Sequence, residues 1–234
     1  MELDLETAAR ISRDAAIGAV HAAMDARRRG SPWDVSEAFL KISIFQALSE
    51  HIGTSPVESH LRLFDELKVS DIANLKQNPA VHGYAESHPV DLTVVYPISD
   101  RNDDLEVWES YPAYGLIEIK KNFKRVQDDA TWLSELATHV FKVSQQDGNR
   151  GASSFAKSNR AMRWVLFVVF VNGNDKNDSN DIKTRVEDCS KAIHAHGLEL
   201  IIGGNTPQKT KLLNVPMGGD YLFDILCFGK NVRD

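Results

Sequence analysis

The run Trp164-Val165-Leu166-Phe167-Val168-Val169-Phe170-Val171 is apolar at every position. Successive side chains of a strand point to opposite faces, so a run of this kind belongs to a strand covered on both sides. A chain that contains one must supply two covering layers. Helical spacing supplies them. Ala8, Ile11, Ala15, Ala19 and Ala22 line one face of a helix over 3–28. A second helix, over 34–51, presents Phe39, Ile42, Ile44, Phe45 and Leu48. Ser55 as a cap and Pro56 at the first helical position predict a third helix over 57–68. Two more are expected over 128–146, where Trp132, Leu136, Val140 and Val143 share a face, and over 181–196. Strands are expected over 81–85, 90–96, 114–120, 163–171 and 198–202, with a last short one over 221–228. The strand–helix–strand passage over 114–171 favours a parallel pair joined by a right-handed crossover. The fold class is therefore α/β, a mixed central β-sheet flanked by helices on both faces. Residues 1–31 read as an N-terminal helical arm and 32–234 as one domain.

Several function classes are disfavoured at this stage. No apolar run approaches the roughly 20 residues needed to cross a bilayer, so no membrane partner is expected. The start, MELDLETAAR, is acidic and lacks the apolar core of a secretory signal. Cys189 and Cys227 form no metal-type pair, and a reducing cytoplasm is the simplest setting. His194 and His196 stand two apart on an expected helix, which points them to different faces and argues against zinc. The formal net charge of -6 speaks against a nonspecific nucleic-acid coat. The charge is uneven, however: between Glu118 and Arg163 nine basic residues stand against five acidic ones. A basic stretch in an acidic protein can serve an anionic ligand, although a solvated helix face has the same composition.

Charge placed inside the expected strands is the chemical clue. Asp91 interrupts the apolar run Pro89–Tyr96, and Glu118 and Lys120 interrupt Tyr114–Lys120. Burying such groups is costly unless they are paired or bind a metal. Glu118 and Lys120, two apart in a strand, share a face with Cα atoms about 7 Å apart. If the two strands pair, Asp91 faces Glu118 across the sheet. Two carboxylates so placed repel, and a hard divalent cation relieves the repulsion. The competing readings are a salt-bridged Glu118–Lys120 pair on a half-exposed face, and an Asp91 that only ends a turn after Pro89.

Asp91 followed by Glu118-Ile119-Lys120, with Glu37 on an upstream helix, resembles the PD-(D/E)xK nuclease superfamily over roughly residues 34–171. The resemblance implies a restriction-endonuclease-like αβββαβ core, here with an added N-terminal helix. It implies Asp91 and Glu118 as ligands of Mg²⁺ or Mn²⁺, Lys120 as the catalytic lysine, and Glu37 as an acidic residue near the metal. It also implies a DNA phosphodiester as substrate. Asp34-x-x-Glu37 has capping-box spacing as well, which is the other reading of Glu37. Lys121, Lys124, Arg125, Arg150, Lys157 and Arg160 are the candidate nucleic-acid contacts. Val90 separates Pro89 from Asp91, and the 27-residue interval from Asp91 to Glu118 carries Asp100, Asp103, Asp104, Glu106 and Glu109. Such an acidic stretch opposes DNA unless it folds away. The expected function is a metal-dependent nuclease. The alternative is a DNA-binding or assembly module on the same fold without turnover, with a homo-oligomer formed through the N-terminal helix as a further expected partner.

Overall fold

The apolar run at 164–171 is the centre of the molecule. In a computed structural model of the chain the described residues are 3–29, 35–55, 61–68, 89–96, 113–121, 126–146, 162–173, 179–205, 207–211 and 220–232. They form α1 (Leu5–Arg28), α2 (Glu37–Thr54), β1 (Arg62–Lys68), β2 (Pro89–Val95), β3 (Ala113–Lys120), α3 (Val126–Gln146), β4 (Trp164–Asn172), α4 (Ser179–His194), β5 (Glu199–Ile202), β6 (Gln208–Lys211) and β7 (Asp220–Asn231). The strands make one mixed sheet in the order β1-β2-β3-β4-β7-β5, with β6 also on β7. Neighbours are antiparallel except β3 and β4, which run parallel. β3 and β4 form the expected parallel pair, with α3 between them in the chain.

The two faces of β4 sort into two cores. Trp164, Leu166, Val168 and Phe170 pack with α1 and α2, while Val165, Phe167, Val169 and Val171 pack with α3 and α4. Small residues on α1 (Ala8, Ala9, Ala16, Ala19, Ala23) bring its backbone close to the sheet, and all are buried. The Trp164 indole N–H donates to the Leu3 carbonyl at 2.8 Å. Buried residues from Leu3 to Met24, within the 1–31 stretch expected as an arm, thus lie in the same core as the sheet.

A buried carboxylate fastens α1 to the far edge. Asp224 accepts hydrogen bonds from Arg13 Nη2 at 3.1 Å, Ile225 N at 2.8 Å and Gly204 N at 2.9 Å. β5 and β6 lie end to end along one side of β7, broken at Gly203 and Gly204, whose φ values are 106° and 82°. Those angles favour glycine, and a Cβ on Gly203 would lie 2.5 Å from the Ile225 carbonyl oxygen.

The sequence expectations need correcting in four places. The helix expected over 57–68 is not formed by its second half, because Arg62–Lys68 is strand β1. Its leucines follow helical spacing, but pairing with β2 satisfies the backbone instead. The second helix opens at Glu37, with Ser36 as N-cap accepting from Phe39 N at 3.1 Å, rather than at 34. The last strand is long rather than short, running over 12 residues between β4 and the β5 and β6 edge. β6 was not expected. The strand expected over 81–85 and the acidic stretch over 100–110 lie outside the described residues.

Candidate functional site

The row of residues that crosses β1, β2 and β3 carries three carboxylates. Leu92 pairs with Ile117, and the same register continued by one step puts Asp91 level with Glu118, whose carboxyl feels the Asp91 charge. Asp65 pairs with Leu92 and Leu67 with Val90, which sets Glu66 across from Asp91. The β2–β3 pairing stops at Leu92 and Ile117. Beyond it the Asp91 side chain takes the place of the neighbouring strand, accepting from Ile119 N through Oδ2 at 2.8 Å.

Both β1 and β2 change face at this row. Leu92 and Val94 pack with α1 and α2, but Val90 packs with α3 and α4. Leu63 and Leu67 divide in the same way. Between them Glu66 has φ 52°, a left-handed conformation costly for a residue with a Cβ.

Glu118 is 1% exposed, and its Oε1 has no hydrogen-bond partner. Burial, and then the negative charge of Asp91, push its carboxyl well above the ordinary 4.5, while Lys120 pulls the other way. The Lys120 ammonium stands 3.5 Å from Glu118 Oε2, 3.7 Å from Asp129 Oδ2 and 3.8 Å from Glu37 Oε1. Burial alone would lower its proton affinity, but the carboxylates of Glu118, Asp129, Asp91 and Glu37 outweigh this and hold it above 10.5. Glu37 also accepts from Lys121 N through Oε2 at 3.3 Å. Ser36 caps α2, so the Glu37 carboxylate is turned towards the end of β3.

Asp91, Glu118, Lys120 and Glu37, the four catalytic candidates read from the sequence, therefore meet at one place. Lys121 follows at the end of β3. Lys124, Arg125, Arg150, Lys157 and Arg160 lie outside the described residues. His196 Nδ1 lies 2.7 Å from the Thr131 hydroxyl, a side-chain contact between α3 and the turn after α4.

Three residues of the site escaped the sequence reading. Asp129, in the first turn of α3, looks like any acid that complements a helix N-terminus. Glu66 fell in the segment read as helix. Lys41 hydrogen-bonds Glu66 through its ammonium. It stands four residues after Glu37, so helical spacing could have placed it on the same face.

The donors at Asp91 and Glu118 are hard oxygens, one of them buried and without a partner, and they fit Mg²⁺ or Mn²⁺ in chemistry. Among the described residues no group of three or more His, Cys, Asp or Glu side chains is arranged to hold a metal. An ion here would rest on two carboxylates, with water and substrate oxygens completing its shell, as Mg²⁺ commonly does. No protein-family model, curated protein or solved structure matches the chain.

Proposed function

We propose that the protein is a Mg²⁺- or Mn²⁺-dependent deoxyribonuclease with a restriction-endonuclease-like core. The observation that carries the reading is the Asp91–Glu118 row, with a buried Glu118 oxygen lacking a partner and the Lys120 ammonium 3.5 Å from the other oxygen. The core is supported by the order α2-β1-β2-β3-α3-β4, with two antiparallel pairings followed by a parallel one.

Asp91 and Glu118 would hold the ion, which when bound lowers the pKa of water and neutralises charge on a phosphate. Lys120 remains an ammonium at neutral pH, so it serves as a charge and hydrogen-bond donor rather than a general base. Asp129 and Glu37 aim it from the first turns of two helices, and Glu37 steadies the turn after it through Lys121 N. A phosphodiester presented at the end of β3 would meet the ammonium and the carboxylate pair together.

Incubation with plasmid, linear duplex and single-stranded DNA in Mg²⁺ or Mn²⁺ tests this. Cutting is expected, with Lys120→Ala slower by about 10²–10³-fold. Metal-dependent cutting that Lys120→Ala leaves intact overturns the mechanism. A second reading, a DNA-binding or assembly module without turnover, is favoured by one observation: three carboxylates already satisfy Lys120. Retention of DNA without cutting in either metal would select it.

A further inference from the structure

A second lysine meets the row at its β1 carboxylate, as Lys120 meets it at its β3 carboxylate. Lys41 comes from α2, one turn after Glu37, and its side chain is only 14% exposed. Its hydrogen-bond partner, Glu66, is 63% exposed. The charges of Asp91 and Asp65 act on the same ammonium, and with Glu66 they keep it protonated against the effect of burial. α2 thus presents an acid to the lysine of β3 and, four residues on, a lysine to the acids of β1 and β2.

The partner of Lys41 is poorly anchored. Glu66 holds its place on a left-handed backbone in the middle of a strand, and its carboxylate is mostly in water. Exposed ion pairs contribute little, so another anion can exchange with this carboxylate at small cost. Lys41 is close enough to Asp91, one of the three carboxylates of the row, for that charge to act on it.

We propose that Lys41 is a phosphate-binding residue: it exchanges its bond to Glu66 for a backbone phosphate of the bound DNA, on the Asp91 side of the site. Lys120 and Lys41 then hold the strand at the β3 and β1 carboxylates of the row. The proposal rests on the nuclease reading, or on its non-cutting variant, for the identity of the ligand.

The test is the salt dependence of binding to a short single-stranded and a short duplex oligonucleotide, measured in Ca²⁺, which takes the same class of oxygen donors as Mg²⁺. A lost phosphate contact reduces the slope of log affinity against log salt by about one, an effect that general loosening of the fold does not produce. Lys41→Ala is expected to show that reduction. Glu66→Gln, at an exposed position, is expected to tighten binding because it frees the ammonium. Variants that match the wild type in slope and affinity, while the wild type cuts DNA in Mg²⁺, overturn the proposal and leave the nuclease reading standing. A wild type that neither binds nor cuts DNA overturns both.

Discussion

Glu118 holds an unfavourable position that a ligand would relieve. Folding raises its carboxyl above 4.5, so the folded protein holds this proton more tightly than the unfolded chain does. Its burial therefore costs least below pH 4.5, and the cost grows as pH rises through the folded value and the proton leaves. Glu118→Gln removes that titration. The variant should melt above the wild type at neutral pH, by about 2–4 °C for each kcal/mol recovered, and the gain should disappear below the ordinary carboxylate range. Added Mg²⁺ or Mn²⁺ should raise the melting temperature of the wild type and leave Glu118→Gln unmoved. Thermal melts at the two pH values, with and without metal, check both, and a wild type indifferent to metal speaks against the ion site. At this scale the sequence was legible where charge broke the apolar strands at Asp91, Glu118 and Lys120, while the same break at the buried Asp224 of β7 passed unread. It was silent on Asp129, because an acid in the first turn of a helix is ordinary.

Strand β1 shows where local pattern misleads. Leu63 and Leu67 stand four apart and suggest one helical face, yet in the strand they enter different cores because the chain turns over at Glu66. Only β2, which begins more than 20 residues further on, makes the extended form favourable, and no short window contains it. The opposite case is β4, whose pattern is complete within eight residues and whose two-sided burial follows from them alone. The kink also yields a substitution test. Glu66→Gly and Glu66→Val both remove the bond to Lys41, so their difference isolates the backbone. Glycine accepts φ 52° and valine does not, so the valine variant should be the less stable by about 1–2 kcal/mol or more. Equal denaturation midpoints would mean that the backbone at 66 is relaxed.

For the molecule as a whole, α1 decides whether one side of the sheet is covered. Its buried positions, from Leu5 to Met24, close one of the two cores over β4 and β7. Arg13 adds a link to Asp224, a buried acid that also pins the break between β5 and β6. Deleting residues 1–28 should therefore leave a chain with no single cooperative melting transition and with strong binding of a hydrophobic dye. A sharp melt of the truncated chain would show that 32–234 folds without the helix. The helix of α1 was legible, but its buried face was only partly so: Ala8 and Ala19 are buried as expected, Ile11 and Ala15 are half-buried and Ala22 is exposed. The surface it covers was not legible, because an amphipathic pattern does not name its partner.

The turn at Glu66 has one more consequence, for how this chain meets its neighbours. β1 is the outermost described strand on its side of the sheet. A straight outer strand offers an unbroken line of amide and carbonyl groups on which another polypeptide can template itself, the usual beginning of fibrous aggregation. Here the line is interrupted at its midpoint, and Arg62, Asp65 and Lys68 stand exposed around the interruption. The backbone that sets Glu66 against Lys41 also denies an incoming chain a continuous rim to zip onto.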